Sequence, residues 1–144
     1  DTERIHLKNG TLSIDGSFDE QKYFCTSRLD VYYKNKYKEP EHWLKFVNEL
    51  LEPEDVLTLQ EYMGYCLIPS TKAQKMLMII GNGGEGKSRI GIIMKAIFGQ
   101  SGLVSGEVKD LDNGSKARFA REKLISRLVF LDDDLDLSAL EGFV

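Results

Sequence analysis

The residues with the clearest chemical bearing are Gly81, Asn82, Gly83, Gly84, Glu85, Gly86, Lys87 and Ser88, which read "GNGGEGKS" directly after the apolar run "KMLMII". Glycines at this density let successive backbone N–H groups converge on an anion, and the Lys-Ser pair adds a cation and a hydroxyl. The spacing G-x-x-x-x-G-K-[ST] is met at every fixed position, with an apolar strand pattern before it and a helical pattern after it. Such a loop cradles the phosphates of a nucleotide such as ATP. Lys87 would reach the β- and γ-phosphates, the Ser88 hydroxyl would ligate Mg²⁺, and the helix that follows would present its positive N-terminus. Glu85 sets a carboxylate into this anion-attracting loop. The phosphate contacts belong to backbone amides and Lys87, so the Glu85 side chain is expected to turn toward solvent or a basic residue of a neighbouring subunit.

A second acidic site decides what a phosphate cradle is used for. The run "RLVFLDDD" is an apolar strand ending in Asp132, Asp133 and Asp134, about 45 residues after the glycine loop. One carboxylate, assigned here to Asp132, would hold the magnesium shell, and Asp133 would polarise an attacking water as general base. Successive strand residues face opposite ways, so which acid takes which role depends on where the strand ends. Asp134 is surplus to both roles. Adjacent acids at a strand end favour a hydrolytic motor. Two alternatives stay open: a P-loop kinase of a nucleoside or small metabolite, and a replication scaffold that binds nucleotide without turnover.

The elements that must position these residues follow from periodicity. Residues 75–81 form a continuous apolar run typical of a buried parallel strand. Ile90, Ile93, Met94 and Ile97 give an amphipathic helix stopped at Gly99. A short strand around Leu103 and Val104, a helix through Phe119 and Leu124, and the acid-ended strand complete a strand-helix alternation. That order predicts an α/β fold of the P-loop type, with a parallel sheet joined by right-handed crossovers.

Upstream, residues 4–14 alternate around Asn9-Gly10 and predict a β-hairpin in which Leu7 faces Leu12 and Ile5 faces Ile14. Asp15-Gly16 marks a second turn, and "RLDVYY" adds an extended piece. Trp43, Phe46, Val47 and Leu50, then Val56, Leu59, Tyr62 and Met63, recur at helical spacing, with Pro40 and Pro53 suited to first-turn positions. These predict an αα-hairpin with Trp43 as a core anchor. The chain therefore divides into an accessory region, residues 1–70, and a nucleotide-binding core, residues 71–144, truncated after the acidic strand.

Composition bounds the function. Of 144 residues, 42% are hydrophobic and 29% charged, as in a soluble globular protein. No run of about 18 apolar residues and no signal-peptide pattern occurs, so a cytoplasmic protein without a membrane segment is expected. Cys25 and Cys66 are isolated and read as free thiols. The net charge of -4 argues against a dedicated nucleic-acid-binding module. Lys34, Lys36 and Lys38 read as a solvated loop, Arg118, Arg121, Lys123 and Arg127 mostly as helix-surface charges, and His6 and His42 as surface residues. Gln74 and Lys75 lie where they could approach an adenine or serve as plain linker. The chain starts at Asp1 rather than Met and stops at Val144, soon after the acidic strand, which suggests part of a longer protein.

Taken together, the glycine loop, "RLVFLDDD", "LQEYMGYCLIP", "EPEHWLKFVNELL" and "LKNGTLSIDG" resemble, in order and over nearly the whole chain, the C-terminal half of phage and plasmid primase-helicases, whose ATPase is a superfamily 3 helicase. The resemblance implies an AAA-like form of the α/β core and an ATP-driven DNA helicase used in phage or plasmid replication, homo-hexameric when complete, acting on single-stranded or forked DNA in the bacterial host cytoplasm. By carry-over, residues 81–88 bind ATP, Lys87 and Ser88 contact phosphate and Mg²⁺, and Asp132 and Asp133 form the acidic pair. Family members often carry Asn at the position of Glu85 and end the acidic strand in Glu. The family's polar sensor strand, DNA-contacting hairpin and trans-acting arginine follow this stretch, so residues 1–144 alone are expected to be monomeric and weak in turnover.

Overall fold

The computed structural model describes residues 3–84, 86–112 and 115–135. Strands β1 (Arg4–Leu7), β2 (Gly10–Ser13) and β3 (Phe18–Asp19) form an antiparallel sheet in that order. The hairpin is where the sequence puts it, but its register differs. Ile5 pairs with Leu12, His6 with Thr11 and Leu7 with Gly10, so the two-residue turn is Lys8-Asn9 rather than Asn9-Gly10. The reason lies outside the hairpin. The Asn9 side chain accepts from Tyr33 N at 2.8 Å and donates to Tyr33 O at 3.0 Å, which fixes Asn9 at the turn. Gly10 then falls in β2, where a β-carbon would overlap the Asp19 carbonyl oxygen and the Phe18 ring.

The "RLDVYY" segment is extended alongside β1 without joining its ladder: Leu29 N donates to His6 O and Lys8 N to Val31 O, both at 2.9 Å. This covers the edge of β1 and corrects the reading of His6, which is buried together with its neighbour Leu7. Asp15 anchors the second turn by accepting from Ser17 N and Ser17 Oγ, bonds that hold its carboxyl below the usual range.

Helices α1 (Glu41–Leu50) and α2 (Pro53–Tyr65) pack on each other as the expected αα-hairpin. Pro53 occupies the first turn of α2, where its missing N–H costs nothing, whereas Pro40 sits one position earlier, at the N-cap of α1. Val47, Val56 and Leu59 are buried, and Trp43 and Phe46 pack half-buried against them with ring centroids 6.0 Å apart.

Residues 75–80 depart from expectation. They form no strand; Leu77 and Ile79 turn toward the core, while Met76, Met78 and Ile80 are exposed. An apolar run shows that a segment can be buried on both faces, not that a neighbouring strand exists to bury it. Among the described residues the parallel sheet holds two strands, β4 (Leu103–Ser105) and β5 (Val129–Leu131), paired Leu103 with Val129 and Ser105 with Leu131. Helix α3 (Lys87–Gly102) precedes β4, broken at Gly99 by a left-handed φ of 62°. A 3₁₀ turn (Val108–Leu111) and α4 (Ser115–Glu122) carry the chain from β4 across to β5. The described architecture is thus mixed α/β.

One apolar cluster joins these parts. Leu7, Leu29, Val47, Val56, Leu59 and Cys66 meet Ile90, Met94, Phe98, Leu103 and Val129. Phe98, at 1% exposure, is the largest fully buried side chain among the described residues, and burial of such a residue contributes about 1.5–3 kcal/mol. Leu29 closes over the end of α3, where a β-carbon at Gly102 would come within 3.2 Å of Leu29 Cδ2, and Ser101 Oγ donates to Arg28 O at 3.1 Å. Among the described residues no helix is long and apolar enough to cross a membrane.

Candidate functional site

The glycine loop is shaped by backbone sign. Gly83, Gly84 and Gly86 have φ of 89°, 72° and 95°, a left-handed series that other residues adopt only at a cost. Gly86 is the N-cap of α3, so the helix starts at Lys87, immediately at the end of the loop. Among the described residues that helix end carries no side-chain cap, and its first turn holds no acidic residue. Its amides and dipole therefore remain suited to an external anion. Space agrees: a β-carbon at Gly83 or Gly84 would meet nothing within 4 Å. Asn82 and Ser88 are exposed, Lys87 is half-buried, and Glu85 lies outside the described residues.

The back of the loop is solid. A β-carbon at Gly86 would come within 3.3 Å of Phe46 Cε2, so α1 of the αα-hairpin supports the turn into α3. Nothing in the motif pattern pointed to Phe46. The signal available was its place beside Trp43 on the apolar face of α1, which identifies a core residue and not its partner.

The acids stand at the C-terminal end of β5 and are not equivalent. Asp132 accepts from Val108 N at 2.8 Å through Oδ2 and from Asp134 N at 3.1 Å through Oδ1, which ties the end of β5 to the start of the 3₁₀ turn. Asp133 faces the other way, onto α3. Its Oδ2 accepts from Lys95 Nζ at 2.8 Å, and a β-carbon at Gly91 would lie 3.0 Å from its Oδ1. Ser88, Gly91 and Lys95 are spaced i, i+3, i+7, one face of the helix that begins at the glycine loop. The fold thus brings Asp133, rather than Asp132, over the helix carrying Ser88. Lys95 was missed in the sequence, although its seven-residue spacing from Ser88 was there to be read.

Gln74 and Lys75 line a cleft of about 480 Å³ with Tyr62, Tyr65, Cys66 and Leu128. Leu128 precedes β5 and Asp132 follows it, so this cleft and the acids are at opposite ends of the strand. Cys66 is buried and Cys25 half-buried, both as free thiols; burial pushes the Cys66 thiol up, partly offset by its hydrogen bond with Tyr62. In the basic cluster, Arg121 donates to Leu111 O and Arg127 to Ser101 O, and Arg118 pairs with Glu122 one turn along, so these three arginines have partners within the fold.

Among the described residues no three His, Cys, Asp or Glu side chains converge on a point that could hold a metal. A cation at the loop would draw on the Ser88 hydroxyl, one carboxylate and oxygens of a bound phosphate. That all-oxygen set suits Mg²⁺, which takes one or two protein ligands and completes its shell with phosphate and water. Comparison with family models, curated proteins and solved structures found no match to this chain.

Proposed function

We propose that this chain is the nucleotide-binding part of an ATP-driven DNA helicase of the superfamily 3 type, on a P-loop NTPase core. The observation that carries the reading is the left-handed turn at Gly83, Gly84 and Gly86 running straight into the uncapped N-terminus of α3. A glycine-rich turn ending at a helix N-terminus is how a chain offers several amides to one phosphate group.

In this proposal residues 81–88 enclose the phosphates of ATP, Lys87 neutralises them, and the Ser88 hydroxyl serves the magnesium shell. Mg²⁺, when bound, supplies charge neutralisation at the transferred phosphoryl group. Of the two roles left open between the adjacent acids, the contact of Asp133 with α3 favours Asp133 for the metal side. Asp132, held by two backbone amides, fixes the end of β5. DNA, the hexameric ring and the bacterial replication setting rest on the family resemblance. Lys87→Ala is expected to abolish ATP binding measured by calorimetry; undiminished affinity would refute the nucleotide reading.

A further inference from the structure

We propose that Lys95 and Gly91 are positioning residues that aim the Asp133 carboxylate at the magnesium shell; the proposal rests on the nucleotide reading above. Two restraints act on one carboxylate. Lys95 Nζ holds Oδ2 at 2.8 Å, which restrains one oxygen of the group. Gly91 is buried and bare, and Oδ1 lies 3.0 Å from the place its β-carbon would occupy. Ser88 stands one turn before Gly91 on the same face of α3, so the carboxylate lies over the helix face that carries the Ser88 hydroxyl. A side chain at Gly91 would fill that space, and loss of the Lys95 ammonium would free the carboxylate to rotate toward solvent. Leu131 sets the distance, because its Cδ2 would lie 3.4 Å from the same β-carbon and keeps α3 pressed on β5.

Partners that orient a metal ligand without touching the metal commonly change metal affinity by about 10–100-fold. The experiment measures ATP affinity by calorimetry with Mg²⁺ and with EDTA, and takes the ratio as the gain due to the metal. Lys95→Met and Gly91→Ala should each lower that gain about ten-fold while leaving the EDTA affinity and the melting curve of Lys95→Met as in the wild type. Lys95→Arg, which keeps the cation, should restore it. A merely structural role would move both affinities together. An unchanged or increased gain in Lys95→Met would overturn the positioning role and leave the nucleotide reading intact. A wild-type protein that bound no ATP in either condition would remove both.

Discussion

Phe46 and Gly86 are in contact distance across the boundary between α1 and the glycine loop, with the ring edge 3.3 Å from the position a β-carbon would take at Gly86. The loop is therefore braced from behind by an aromatic side chain of a helix forty residues upstream, and its conformation depends on more than its own glycines.

Gly86→Ala should be costly twice over. At φ 95° a β-carbon is strained whatever the space around it, a cost of about 1–3 kcal/mol, and here it also meets the ring. Urea unfolding should report a loss in that range, with ATP affinity falling alongside. In a Phe46→Ala background, which removes the contact but not the backbone strain, Gly86→Ala should still lower stability relative to Phe46→Ala alone. No further loss in that background would show that contact, not φ, set the cost.

Gly10→Ala tests the register of the hairpin. The added methyl would run into the Asp19 backbone carbonyl, which can retreat only by opening the β2–β3 pairing. A loss of about 1–3 kcal/mol is expected in equilibrium unfolding. A neutral result would count against the close approach of Gly10 to the Asp19 carbonyl.

His6 gives the fold an acid-sensitive site. Its ring is buried, its Nδ1 has no hydrogen-bond partner among the described residues, and burial first, then the charges of Arg28 and Arg4, lowers its pKa from 6.5. The unfolded chain therefore takes up a proton at higher pH than the folded one. The His6 contribution is constant above about pH 6.5 and is lost as pH falls through that value toward the lowered folded pKa. Urea midpoints measured at pH 7.5 and pH 5.5 should separate in the wild type and draw closer in His6→Gln. Equal separations would show that other groups carry the acid sensitivity.

How far these features could be read in advance depends on what fixes each of them. Ile5, Leu7, Leu12 and Ile14 alternate correctly in both the expected and the observed register, because a shift of two keeps every side chain on its face. Apolar pattern cannot separate the two, and the deciding bonds come from Tyr33, far along the chain. The αα-hairpin was legible because Val47, Val56 and Leu59 need only helical spacing and the Pro53 start. The parallel pairing of β4 and β5 was legible from strand-helix order. Residues 75–80 were misread because their burial depends on neighbours that composition does not reveal.

The site divides in the same way. The glycine loop and the acid run are local in sequence and were both apparent. The placement of Asp133, rather than Asp132, over α3 was not, since it follows from the point where β5 ends and from Lys95 on another element. His6 was read as a surface residue because nothing local shows that residues 28–31 lie along the edge of β1.

The closure of Leu29 over the end of α3 has a practical consequence for dividing the molecule. The boundary between residues 70 and 71 separates two regions by motif, but Leu7, Leu29, Val47, Val56, Leu59 and Cys66 lie before it, and Ile90, Met94, Phe98, Leu103 and Val129 after it, within one packed interior. A chain begun at residue 71 would keep residues 81–88 and lose six of the eleven buried residues named here. The glycine loop is thus carried on an interior that it shares with the first hairpin, and a cut at residue 71 would open that interior.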